Sequence, residues 1–279
     1  MTRAPITSVE QWWIAFRYQL RFYLRTYRFL GLLLFVVLIG VAVLALQIHA
    51  GGPGVSGPSA SNRDAQYLAN SLSEMSTVLI LVGAFLGGDA IATDFGTGAG
   101  YFVLVQPIKR PTILAGRYAA AFVATAVIAV VYYLLVLVGA VYFFGVAPIP
   151  GAGLAASLGL AFLMALAVIG IAFLFSSFFR SPAVAMVVTV LVLYLAFSIV
   201  TGVIEFAGYE PWFSLSYAGG AISGVLDPGF VHASSIAAAG SSFTIYTAYP
   251  WEGAAIMVGY LVVGLALGLA IYLRKESKG

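Results

Sequence analysis

Residues 10–48 read EQWWIAFRYQLRFYLRTYRFLGLLLFVVLIGVAVLALQI, and the change of character after Arg28 decides the fold. Up to that point the segment is two-faced. On a helix, Arg17, Arg21, Arg25 and Arg28 share one face at spacings of four, four and three. Trp12, Phe16, Leu20, Tyr23 and Tyr27 form a second stripe at spacings of four, four, three and four. A basic face opposite an aromatic one lies flat at the lipid headgroups. Thr7 with Glu10, or Ser8 with Gln11, can close a capping box at its start. From Phe29 to Ile48 there is no charged residue at all. A run of about 20 apolar residues crosses roughly 30 Å of hydrocarbon. The run is too long for a signal peptide, and 28 residues precede it. The expectation is a cytoplasmic amphipathic elbow helix over 1–28, leading into a retained span. Its residues leave two roles open: an elbow that docks a partner or moves the first span, and a simple interfacial anchor.

The remainder of the 279 residues repeats the apolar theme. Hydrophobic residues make up 62% of the chain and charged ones 8%, with a mean hydropathy of +1.04. Soluble domains carry about 25% charged residues, so the chain is a membrane protein with no room for a second, soluble domain. Six stretches are apolar: 29–48, 75–92, 118–144, 154–175, 183–204 and 254–273. Backbone groups in hydrocarbon must be paired within their own segment, which makes these runs helices. The predicted fold is all-α: a polytopic membrane protein of six transmembrane helices over 29–273, with an N-terminal interfacial helix and a cytoplasmic tail over 274–279.

The basic residues orient it. Arg3, Arg17, Arg21, Arg25 and Arg28 precede the first span. Lys109, Arg110 and Arg117 lie between the second and third, Arg180 between the fourth and fifth, and Arg274, Lys275 and Lys278 after the sixth. Of the 13 Lys and Arg, only Arg63 falls on the opposite side. Basic residues near span ends stay in the cytoplasm, so a cell-membrane protein with both termini cytoplasmic is expected. The net charge of +3 is too small to suggest nucleic acid.

Between the second and third spans stands ATDFGTGAGYFVLVQPIKR, residues 92–110. Phe95, Ala99 and Phe102 recur at helical spacing, and Pro107 and Pro111 bracket Lys109 and Arg110. A short helix, a basic turn and the third span are expected over this cytoplasmic loop, 93–117. Asp94, Gly96-Thr97, Pro107, Lys109-Arg110 and Gly116-Arg117 occur here in the order typical of ABC transporter permeases of the type-2 exporter family, which the chain resembles. Six spans, an interfacial N-terminal helix and a long last outer loop fit the same family. The family more often has Glu where Asp94 stands, and Gly98 and Gly100 are extra.

The resemblance implies a permease subunit of an ATP-driven exporter or efflux system. It implies a dimer with a second permease chain, alike or unlike, and a cytoplasmic P-loop ATPase partner. Asp94, Phe95, Gly96, Thr97, Phe102, Pro107, Lys109 and Arg110 would be the coupling contact with that ATPase. Trp12, Phe16, Arg17, Arg21, Arg25 and Arg28 would form the interfacial elbow, in contact with membrane lipid. In the tight turn Arg180-Ser181-Pro182 the basic residue leaves two roles open: a topology anchor, and a second, smaller cytoplasmic contact with a partner. Two other classes remain open: a non-transporting scaffold or assembly protein, and an ion-coupled carrier.

Several chemistries have no residues to support them. There is no GxxxxGK[ST] motif, so ATP would be bound and hydrolysed on the partner, with no cofactor on this chain. No nucleophile–base or metal pattern suggests an enzyme, and the chain has no Cys. His49 and His232 read as solvated outer residues. Asp89 and Glu205 sit near span ends and read as interfacial carboxylates within reach of headgroups or water. The pairs Gly83/Gly87 and Gly264/Gly268 permit close helix approach, although among 31 Gly chance accounts for them equally well. The outer loop 205–253 has no Lys or Arg but many aromatics, which favours short interfacial or re-entrant helices. The first outer loop, 51–64, is rich in Gly, Pro and Ser.

Overall fold

A computed structural model describes residues 7–49, 63–93, 110–145, 150–238 and 241–276. Among these, six helices are long and apolar enough to cross a membrane. A short amphipathic helix, α1 (Ser8–Arg25), precedes them. The spans are α2 (Tyr27–His49), then α3 (Arg63–Leu72) continued by α4 (Met75–Gly87), α5 (Arg110–Phe144), α6 (Gly151–Phe178), α7 (Pro182–Phe206) and α10 (Pro250–Glu276). Between the last two lie α8 (Leu215–Gly219), α9 (Ala221–Gly224) and an antiparallel hairpin of β1 (Ala233–Ala238) and β2 (Ser241–Tyr246).

The sequence places helix α1 well. Thr7 and Glu10 close the capping box: the Thr7 N–H donates to Glu10 Oε2 at 2.9 Å, and the Glu10 N–H to Thr7 Oγ1 at 3.4 Å. The end of α1 differs from the expected stripe. Thr26 is extended, with φ −84° and ψ 135°, so the helical period stops there. Tyr23 is buried while Tyr27, one stripe position on, is 90% exposed. Arg28 likewise belongs to α2 and not to the basic face of α1.

Span two begins earlier than hydropathy suggests, at Arg63 instead of residue 75. Its first half carries polar residues, but Asp64, Tyr67, Leu68, Ser71 and Leu72 face the interior. Hydropathy averages over a window and misses a helix whose polar positions are covered by protein. Span three starts at Arg110, so 110–117 of the expected cytoplasmic loop is helix.

Helix α6 is the centre of the bundle. It packs against α4 and α10, and its apolar residues are buried over much of its length. Both glycine pairs pack here. A Cβ on Gly83 would stand 2.8 Å from Val168 Cγ1, and one on Gly264 would stand 2.6 Å from the backbone carbon of Gly170. At Gly264 only glycine lets the two backbones come so close. Spans one, five and six expose much of their surface, including Leu34, Leu38, Val187, Leu191 and Val262. Span five is also irregular, opening into a π turn over Leu191–Ala196.

The segment after span five folds back into one end of the bundle. Leu215, Tyr217, Ala218, Ala221 and Ile222 are buried. Tyr133 donates to Ser157 Oγ at 2.8 Å, and Ser157 in turn donates to the Ile222 carbonyl at 2.6 Å, tying α9 to spans three and four. Short helices are expected from the sequence; the hairpin is not. The first strand, ASSIAA, carries little strand signal, whereas the second, SSFTIY, is rich in Phe, Thr, Ile and Tyr, which favour strands.

Candidate functional site

At the other end, where α1 lies, span two finishes and the chain turns toward residues 94–109. That turn is gripped by four elements. The Tyr23 hydroxyl, from α1, directs its one proton at the Leu86 carbonyl, 2.6 Å away, with Asp89 Oδ1 a second acceptor at 3.3 Å. Arg28, from α2, places Nη1 3.5 Å from Asp89 Oδ2. Arg117, from α5, donates from Nη1 to the Ala90 carbonyl at 2.6 Å. Ser176, from α6, accepts at Oγ the N–H groups of Ile91 at 3.0 Å and Ala92 at 2.9 Å. Thr93 closes the turn from within, donating to the Asp89 carbonyl at 2.6 Å.

A helix end leaves carbonyls without partners. Here side chains from neighbouring helices supply donors, and Ser176 supplies an acceptor for the N–H groups that follow. The six residues 88–93 are therefore held from outside their own helix.

Asp89 is buried, with its side chain 8% exposed, and does not lie open to headgroups or water. Burial pushes its carboxyl up to about 6, against the opposing pulls of Arg28, the Tyr23 hydroxyl and Arg117. Burial, reinforced by the Asp89 charge, also pushes the Tyr23 phenol well above its ordinary range.

Helix α1 reaches this junction by crossing the start of α5 at Gly116. A Cβ there would stand 2.9 Å from Ala15 Cβ and 3.0 Å from both the Phe16 nitrogen and the Trp12 carbonyl oxygen. Trp12 and Phe16 stack at 5.4 Å and 8° and are half-buried on this side. Arg17, Arg21 and Arg25 point outward and are exposed. The basic and aromatic faces are thus separated, and the aromatic one lies against protein.

Asp94, Phe95, Gly96, Thr97, Phe102, Pro107 and Lys109 lie outside the described residues. Arg110 is the first residue of α5. Arg180 is exposed in the tight turn between spans four and five. The sequence singles out Gly116-Arg117 only through a resemblance; the geometry gives both a role, one as the crossing point of α1 and one as a donor to the junction. Tyr23 and Ser176 were not foreseen as partners of span two. Their only signal is a polar side chain in an otherwise apolar stripe.

At the opposite end, Glu205 Oε1 accepts the Tyr246 N–H at 3.4 Å. His49 is exposed at the end of α2. His232 is not a solvated outer residue: its ring stacks on Tyr249 at 4.6 Å and 13°, and Nδ1 lies 2.9 Å from the Thr247 carbonyl.

No curated protein matches the chain. The family model described as ABC-2 family transporter protein matches residues 13–277, from α1 through span six. Six apolar helices, an amphipathic helix laid across span three and a clamped turn after span two accompany that match, and the chain belongs to the ABC-2 transporter family as a membrane-spanning permease of an ABC transporter.

Proposed function

We propose that this permease is the transmembrane subunit of an ATP-driven exporter, and that residues 93–110 receive the motion of a separate P-loop ATPase on the cytoplasmic side. The carrying observation is the grip on residues 88–93. A push on the segment that follows cannot be absorbed by a loose turn, because Tyr23, Arg28, Arg117 and Ser176 connect that turn to α1, α2, α5 and α6. Motion delivered there passes to four helices together.

The basic residues support the orientation. Arg17, Arg21, Arg25, Arg28, Arg117 and Arg180 all lie at the α1 end, which is the cytoplasmic face in this reading. Six spans return the chain to that side. The exposed flanks of spans one and five border an apolar groove of about 410 Å³, lined by Leu32, Phe85, Met186 and Val187 with Arg28 at its edge. In this reading the surface is completed by a second permease chain.

The test is purification in mild detergent without added partner. A P-loop ATPase should copurify in stoichiometric amount, and its turnover in proteoliposomes should drive substrate outward. A chain that purifies alone and transports with an ion gradient while indifferent to ATP is a carrier; one that purifies with assembly partners and transports nothing is a scaffold.

A further inference from the structure

The cap that folds back between spans five and six brings together Glu210, His232 and Glu252, side chains from three separated segments. One follows span five, one precedes β1, and one lies in the first turn of span six. Each offers a ligand atom, and these atoms all lie within 4.8 Å of one another. We infer that the three form a binding site for a zinc-class divalent cation, with water completing the coordination.

The donors are held in the manner of metal ligands. The Thr247 carbonyl can only accept, so His232 Nδ1 at 2.9 Å must carry the proton. In the neutral ring that leaves the Nε2 lone pair facing Glu210 Oε2 at 3.7 Å. Two electron-rich atoms set face to face need something positive between them. A ligating His typically donates its other ring N–H to a carbonyl or carboxylate in this way, which fixes both tautomer and ring orientation. Stacking on Tyr249 fixes the ring plane further.

The carboxylates show the same shortage of positive charge. Tyr217 directs its one hydroxyl proton at both Glu210 Oε1 and Glu252 Oε2, so it can satisfy only one at a time. Glu252 Oε2 also accepts the Tyr249 N–H at 3.2 Å, which locks it at the start of α10. No Lys or Arg occurs anywhere in residues 205–253 to neutralise the pair. One imidazole and two carboxylates make a donor set that suits zinc and its neighbours in the transition series. Tetrahedral zinc ligands stand about 3.3 Å apart, so the 3.7 Å separation of His232 and Glu210 is already close, and the third ligand needs a small rotation.

A bound cation would pin the outer ends of spans five and six and the hairpin to one point. That this point lies outside the cell rests on the orientation proposed above; the coordination chemistry does not.

The experiment uses the full chain with its copurifying partners, free of affinity tag and washed with a chelator. Cobalt(II), added as a spectroscopic stand-in for zinc, should give visible d–d bands that saturate at one equivalent per chain and are displaced by zinc. His232→Gln and Glu210→Gln should each weaken cobalt binding by more than about tenfold. The zinc-loaded wild type should show one imidazole and only oxygen donors besides by X-ray absorption, a readout that decides the matter even if a variant fails to fold. Wild-type binding no stronger than that of the variants overturns the site, as does a spectrum with no imidazole or with two. A wild type that binds no cobalt also overturns it, leaving His232 and Glu210 as a proton-bridged pair.

Discussion

Tyr23 and Asp89 stand 66 residues apart in sequence and meet at 3.3 Å, the phenol hydroxyl lying closer still to the Leu86 carbonyl, at 2.6 Å. This contact joins the amphipathic N-terminal helix to the end of span two. Replacing Tyr23 with Phe keeps the ring and removes the donor. Leaving buried acceptors short of a donor costs about 1–3 kcal/mol, so Tyr23→Phe should lower the thermal midpoint of the purified protein measurably. If the midpoint is unchanged, the hydroxyl does not hold the junction.

Asp89 should make stability pH-dependent. Its carboxyl is raised to about 6 in the fold, chiefly by burial, against about 3.9 in an unfolded chain. The fold therefore favours the protonated form. The stabilisation it adds is complete below about pH 4 and is lost as pH rises through about 6. Asp89→Asn, uncharged throughout, should flatten that slope. Thermal midpoints of the two proteins between pH 4 and 8 check it; a wild type that gains stability relative to the variant as pH rises would contradict the assignment.

Gly116 is the crossing point of α1 over span three. A side chain there meets the backbone of Trp12 and Phe16 at 3.0 Å, and backbone cannot rotate away as a side chain can. Gly116→Leu should cost about 1–3 kcal/mol through overpacking and lift α1 from the bundle, with Gly116→Ala milder. Differential scanning fluorimetry and protease sensitivity near Trp12 measure the two effects.

The coupling segment itself is tested by charge. Reversing Lys109 and Arg110 together with Asp94→Ala should leave insertion intact while transport and partner ATPase stimulation fall by about tenfold, the scale of a typical coupling free energy. Transport and stimulation at wild-type levels would remove residues 93–110 from the coupling role.

Much of this architecture is written locally. Charge-free runs and the alternation of basic residues give six spans, and Thr7 and Glu10 mark the start of α1. What the sequence hides depends on partners far along the chain. Asp89 looks interfacial because nothing near it in sequence reveals that Tyr23, Arg28 and Arg117 converge on the same turn. His232 looks solitary because Glu210 and Glu252 lie 22 and 20 residues away on either side, and only the folded segment between spans five and six brings the three together. The polar half of span two escapes a hydropathy window because protein, not lipid, covers its polar face. The glycine pairs carry a weak pattern whose meaning appears only when Gly170 and Val168 are found against them.

The π turn at Leu191–Ala196 gives span five a property of its own. A π turn holds one residue more than the α-helical turn it replaces, and each residue advances an α-helix by about 100°. Loss of one residue in this stretch would rewind it to regular hydrogen bonding instead of breaking it. Span five can thus shed a single residue here and stay one continuous helix, its two halves keeping their facing toward whatever adjoins them.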